Sequence, residues 1–218
     1  MSEDYKKNFS GRDLGYMPIS LIAGKLRVLI VGGGKAGYLK AKAFLSKGCS
    51  VTVVSMDFDD VFGELQAPNL CLMKEAYHRE LIMKAHLVVI AVSDEELAMQ
   101  IKVDCEDEYK LYLYAPSASQ GLFIIPAAGE TREGIFTFHT KKGSPATAKL
   151  IRTKIKEQLS QYDSFIEFAC NLRASLAGNE NQPEIMRFVN TEEFLEYYRQ
   201  QKHLLILKLF YGGMDFEA

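Results

Sequence analysis

Between residues 27 and 114 the chain alternates between two hydrophobic periods. Residues 27–31 form an unbroken, mostly β-branched apolar run that stops at Gly32, Gly33 and Gly34. A run without polar alternation predicts a strand buried on both faces, as in a parallel sheet. Residues 35–47 change period: Ala36, Leu39, Ala43 and Phe44 fall on one helical face with lysines elsewhere. Gly48 follows, where a helix C-terminus favours glycine. Residues 50–54 repeat the strand pattern, and a weaker one lies at 70–73. A helical stretch at 78–84, a strongly apolar strand at 87–91, a helix at 94–105 with Ser93 or Asp94 as its N-cap, and a short strand at 111–114 complete the series. Strand and helix alternating over about a hundred residues predict an α/β fold with a doubly wound parallel sheet.

After Ala115 the pattern changes. Residues 116–121 are turn material, and 122–126 and 134–140 read as two strands with a polar loop between them. Too few residues separate them for a parallel crossover, so an antiparallel hairpin is expected. From Ser144 onward the period is helical: Ala148, Ile151, Ile155 and Leu159 align, then Phe165, Ala169, Leu172 and Leu176. Residues 178–183 form a break, and 192–210 predict one final helix. The expected plan is a disordered extension over 1–15, a sheet domain over 16–115, a hairpin region over 116–143 and a helical domain over 144–218.

Composition narrows the field. The 218 residues carry a formal net charge of -2, which does not favour a nucleic-acid binder. No apolar run reaches the ~18 residues that span a bilayer, and the polar start does not read as a signal peptide. Cys49, Cys71, Cys105 and Cys170 form no CxxC pair, which predicts free thiols in a reducing cytoplasm and neither a zinc site nor a disulfide framework.

Gly32, Gly34 and Gly37 make the pattern G-x-G-x-x-G directly after a strand and at the opening of a helix. The first glycine allows the tight turn, the second lets the backbone approach a pyrophosphate, and the third lets helix and strand pack closely. The helix N-terminus adds free amides and a partial positive charge. This predicts a Rossmann-type dinucleotide site. Asp57, after the second strand, can accept hydrogen bonds from the adenosine ribose. No Arg or Lys stands between Ser55 and Leu72 to hold a 2′-phosphate, which favours NAD over NADP. Val92, Ser93 and Asp94 lie at the cofactor end of the fourth strand, where Asp94 also serves as a helix cap.

These residues resemble a known family. Residues 17–19 (Met-Pro-Ile), the stretch from Gly24 through Ala36, Lys40-Ala41 and residues 51–54 look like the opening of precorrin-2 dehydrogenases and siroheme synthases. Residues 89–94, the Phe-Ile-Ile-Pro of 123–126, and Ser144-Pro145 before a basic helix are similar to later motifs of that family. The similarity spans about residues 16–160. It implies a Rossmann NAD-binding domain, a dimerisation hairpin, a helical C-terminal domain and an intertwined homodimer. It further implies oxidation of precorrin-2 to sirohydrochlorin with NAD, joined in some members by ferrous iron insertion. By position it places Lys35, Ala36, Met56 and Asp57 near the cofactor; with the glycine turn and the strand ends, the cofactor-binding candidates are Gly32, Gly33, Gly34, Lys35, Ala36, Gly37, Ser55, Met56, Asp57, Val92, Ser93 and Asp94.

The family carries an aspartate just after the fifth strand, whereas residues 111–116 here read Leu-Tyr-Leu-Tyr-Ala-Pro, and Tyr114 is the nearest equivalent. Tyr114, His139 and Thr140 are the candidate catalytic residues. Lys141, Lys142 and Ser144 are candidates for the many carboxylates of a tetrapyrrole. His78, His86 and His203 read as surface or packing residues. Two other readings stay open: a dinucleotide- or tetrapyrrole-binding protein that has lost turnover with the aspartate, and a chelatase that uses His139.

Overall fold

The computed structural model describes residues 15–141 and 143–212. The expected extension over 1–15 therefore lies almost wholly outside the described residues, as does Lys142. The chain divides into two compact units, at residue 125.

The first unit holds five parallel strands: β1 (Arg27–Val31), β2 (Ser50–Val54), β3 (Leu70–Met73), β4 (Leu87–Ile90) and β5 (Leu111–Tyr114), in the spatial order β3-β2-β1-β4-β5. Side chains alternate across the sheet. Leu29, Val31, Val54, Val88 and Ile90 face one apolar cluster; Val28, Ile30, Val51, Val53 and Val89 face the other. Both faces are covered, which is why the strands read as continuous apolar runs. Helix α1 (Lys35–Leu45) covers the second face through Gly37 and Ala41 and ends at Gly48, whose φ of +86° is natural for glycine. Helices α2 (Glu80–Met83) and α3 (Glu95–Asp107) cover the first face through Ile82, Ala98, Ile101 and Cys105. The chain winds outward from β1 to β3, then returns to β4 on the other side of β1. That reversal opens a crevice at the carboxyl ends of β1 and β4.

The second unit begins with β6 (Ala127–Glu130) and β7 (Ile135–Phe138), an antiparallel hairpin in which Ala127 faces Phe138. The hairpin is present, but its first strand lies later than residues 122–126. The amides of Leu122 and Phe123 donate to the Tyr112 carbonyl at 2.8 and 3.3 Å, and Phe123 packs into the core of the first unit. The apolar run thus serves packing, while Ala127–Glu130, poor in β-formers, does the pairing. The Phe136 ring lies where a Cβ on Gly129 would be, only 2.3 Å from its Cζ.

Helices α4 (Pro145–Leu159), α5 (Asp163–Ser175), α6 (Gln182–Val189), α7 (Glu192–Arg199) and α8 (His203–Phe210) follow. The sequence pattern did not reveal α6: Pro183 sits in its first turn, where its missing N–H costs nothing, so it starts a helix rather than marking a break. The single helix expected over 192–210 is two. Gln201 adopts φ +57° and its amide bonds the Tyr198 carbonyl at 2.9 Å, a left-handed stop made without glycine. The kink lets Phe194 and Leu207 enter one core with Phe168, Leu172, Ile185 and Val189. Among the described residues no helix is long and apolar enough to cross a membrane.

Asp163 ties α5 to the hairpin. Its carboxylate accepts from the amides of Arg132 and Glu133 at 3.1 Å each. The Thr131 hydroxyl, chiefly, and then those amides hold its pKa below the ordinary carboxylate range. Its folded value therefore lies below its unfolded one, so its contribution to stability is fully present above about pH 4 and is lost as pH falls through the lower folded value. Asp163→Asn should lower the unfolding midpoint at pH 7, and the two melting curves should converge as the buffer is taken below about pH 3. A midpoint difference that persists unchanged at acid pH would count against this role.

Candidate functional site

The glycine turn is built by close backbone approach. A Cβ on Gly32 would stand 2.3 Å from the Ala91 carbonyl oxygen, and one on Gly37 would stand 2.0 Å from the Gly32 carbonyl oxygen. Gly32 also has φ +125°, which L-residues rarely adopt. Its amide donates to Val54 at 2.9 Å, and the Asp59 amide donates to the Gly33 carbonyl at 2.9 Å. These contacts seat the start of α1 against the ends of β1, β2 and β4.

Gly34 is different. Among the described residues nothing stands within 4 Å of a Cβ built there. It is the N-cap of α1 yet has no side chain to cap it, and the first turn of α1 carries no acidic residue. The orphan amides and positive dipole end of α1 therefore face open space. Helix α3 shows the contrast: Asp94 accepts from Glu96 and Leu97 amides at 2.9 and 3.1 Å, with Glu95 and Glu96 in the first turn. The Asp94 carboxylate is thus engaged in capping, whereas α1 keeps its end for an outside anion.

A cavity of about 420 Å³ opens over this turn, lined by the glycines 32–34, Ser55 and Met56 after β2, and Val92, Ser93, Asp94 and Leu97 after β4. Of the dinucleotide candidates, Gly32, Gly33, Gly34, Ser55, Met56, Val92, Ser93 and Asp94 line this cavity. Lys35 and Ala36 are exposed on the first turn of α1, and Gly37 is buried beneath it. Asp57 sits on the rim, exposed, with Lys74 Nζ 3.3 Å from its carboxylate. Lys74 was not legible as a neighbour because it follows β3; the register of β2 on β3, which sets Val54 beside Met73, carries it there. The Lys74 ammonium, the cation nearest Asp57 among the described residues, is therefore paired with it.

The cavity also holds Glu75, Ala76 and Tyr77, which the sequence pattern did not single out. They belong to the irregular segment between β3 and α2. The Tyr77 hydroxyl donates to Asp104 at 2.8 Å; burial, then that hydrogen bond, pushes its phenol well above the usual range.

The remaining candidates are Tyr114 in the first unit and His139, Thr140, Lys141 and Ser144 in the second. Tyr114 is the last residue of β5 and is only 6% exposed, packed in an apolar cluster. His139 and Thr140 follow β7 in the second unit, both half-buried. The Thr140 hydroxyl accepts from the Ser144 amide, and the Ser144 hydroxyl stands 2.7 Å from that of Thr147, so both build the turn into α4. Lys141 is exposed, and Lys142 lies outside the described residues. Among the described residues no group of three His, Cys, Asp or Glu side chains is placed to hold a metal ion. A larger cleft of about 540 Å³ in the second unit is lined by Tyr162, Phe165, Tyr198, Arg199 and His203. No glycine is among its lining residues.

Comparison with known proteins agrees with the glycine site. Residues 19–127 match a family described as "Putative NAD(P)-binding". The chain is 30% identical over 157 residues to a protein of Methanocaldococcus jannaschii named "Putative precorrin-2 dehydrogenase", covering 67% of this chain and 75% of that one. It is 23% identical over 185 residues to precorrin-2 dehydrogenase of Priestia megaterium, covering 81% and 91%. It spans about a third of the length of the siroheme synthases it matches. The solved structure of SirC, precorrin-2 dehydrogenase, shares the fold with a TM-score of 0.66 at 21% identity, over 89% of this chain and 100% of that one.

Two substitutions separate the roles of the glycines and of the rim. Gly34→Ala should leave the melting temperature unchanged yet weaken NAD binding at least ~10-fold by calorimetry, because the added methyl occupies the approach to the α1 amides. Gly37→Ala should instead destabilise the fold, since the clash is with backbone. Asp57→Asn frees Lys74 and removes a charge that repels a 2′-phosphate, so the NADP-to-NAD affinity ratio should rise by ~10-fold. Both residues are largely exposed and their pair contributes little to stability, so the melting curve should not move.

Proposed function

Because this chain belongs to the family of precorrin-2 dehydrogenases and siroheme synthases, we propose that it dehydrogenates precorrin-2 to sirohydrochlorin with NAD as the electron acceptor. The observation that carries this reading is the uncapped end of α1 opening onto the crevice at the carboxyl ends of β1 and β4. NAD bound there would supply the hydride acceptor for oxidation of the macrocycle, with one proton released. The chain itself supplies position and charge. The amides after Gly34 hold the diphosphate, Asp57 accepts from the adenosine ribose, and Asp94, by capping α3, keeps the Val92–Ser93 wall of the crevice in place. The pairing of Lys74 with Asp57 supports NAD over NADP.

The substrate is a polyanion, and Lys141, Lys142 and Ser144 are the residues we assign to its carboxylates. The homodimer belongs to the same reading. A two-stranded hairpin is marginal alone, and Ile135 on β7 is 79% exposed, as expected of a surface that a second copy covers. Four free cysteines fit a reducing cytoplasm.

Purified protein given precorrin-2 and NAD should produce the sirohydrochlorin spectrum and one NADH per macrocycle, and light scattering on the same sample should give twice the mass of one chain. NAD binding without turnover would turn the reading into that of a binding protein. The buried Tyr114, at the position where the family resemblance implies a carboxylate, is the observation that favours this second reading.

A further inference from the structure

We propose that Glu75 is the adenine-recognising residue of the dinucleotide crevice, its carboxylate accepting a hydrogen bond from the exocyclic amine of the base. The inference rests on the dinucleotide reading of the site. With the diphosphate on the α1 amides and the ribose at Asp57, the adenosine half runs toward the ends of β2 and β3. After those strands the cavity is lined by Met56, Glu75, Ala76 and Tyr77, and Val92 and Leu97 line the same cavity from the β4 side. Apolar side chains suit the faces of a purine, and Glu75 is the carboxylate of this wall not already committed to a cap.

Its Oε1 is buried and, among the described residues, accepts no hydrogen bond, although the side chain as a whole is 41% exposed; His78 Nε2, 3.6 Å away, pairs with it only as an ion when the imidazole is protonated. An acceptor withdrawn from water without a donor is costly, and a donor from a ligand relieves that cost. The segment is also anchored on both sides. Lys74 is paired with Asp57, and the Tyr77 hydroxyl is bonded to Asp104 at 2.8 Å. Glu75 is thus held at the cavity before a ligand arrives, the condition under which a buried acceptor discriminates between bases.

The test compares NAD with nicotinamide hypoxanthine dinucleotide by calorimetry on the full chain. Hypoxanthine replaces the amine with a carbonyl oxygen, setting acceptor against acceptor; its N1–H lies one ring position away, out of line with a carboxylate set for the amine. Wild type should prefer NAD by ~10- to 100-fold, the range for a hydrogen bond to a charged group. Glu75→Gln can accept from the amine or donate to the carbonyl, so its preference should shrink to within ~3-fold, chiefly by gaining affinity for the hypoxanthine compound. Glu75→Ala should lose affinity for NAD with no such gain. The residue is partly exposed, and matched melting curves will show that the variants fold. Equal affinities in wild type, or a preference that survives Glu75→Gln, would overturn the assignment while leaving the crevice a dinucleotide site. No heat with either compound would remove the dinucleotide reading itself, and this inference with it.

Discussion

The structure of the first unit hangs on one steric constraint: three polypeptide segments meet at Gly32 with no room for a side chain. Gly32 lies against the Ala91 carbonyl, and Gly37 lies against the Gly32 carbonyl. Only because both lack a Cβ can α1 begin at the sheet edge, between the strands where the winding reverses. Helix α1 buries Gly37 and Ala41 and packs Tyr38, Phe44 and Leu45, partly buried, on the second face. Its position is set by backbone fit together with that packing. That position is what turns a helix end into an anion site, since a start one turn away would aim the same amides at solvent.

Around this point the charges are distributed unequally. Helix α3 consumes three carboxylates at its N-terminus, while α1 has none. Asp57 and Lys74 neutralise each other at the rim, and Arg79 is spread over Asp104, Asp107 and Glu108 on the outer side of α3. What the crevice leaves open is a positive helix end at one side and, at another, the Glu75 Oε1, which accepts no hydrogen bond among the described residues. A dinucleotide has the complementary polarity, a diphosphate at its centre and an amine on its base. The complementarity lies in which groups have been left without a partner, and it does not appear in the net charge of the chain.

The second unit is organised differently. Short helices gather Phe168, Leu172, Ile185, Val189, Phe194 and Leu207 into one core, with His203 edge-on to Phe168 at 4.8 Å. Burial holds the His203 pKa below its ordinary value, in keeping with a packing histidine. Asp163 joins the hairpin loop to α5 by hydrogen bonds, so the hairpin is held by a buried polar contact as well as by packing.

Taken alone, the sequence determined the parallel sheet, its glycine turn and the Asp94 cap, because each is a local pattern: a β-branched run, a fixed spacing, an acid at a helix start. It also carried the family, through motifs spread over residues 16–160. It did not determine that α6 exists or that α7 and α8 are separate, since Pro183 reads as a breaker and Gln201 carries no sign of a left-handed turn. The placement of residues 122–126 in the core, rather than in the hairpin, was likewise a tertiary decision. Lys74 and Glu75 reach the crevice only through the pairing of β2 with β3 and the anchoring of Tyr77 on Asp104. Residues twenty or forty positions from the glycines meet them by strand register and crossover, and no local spacing encodes that meeting.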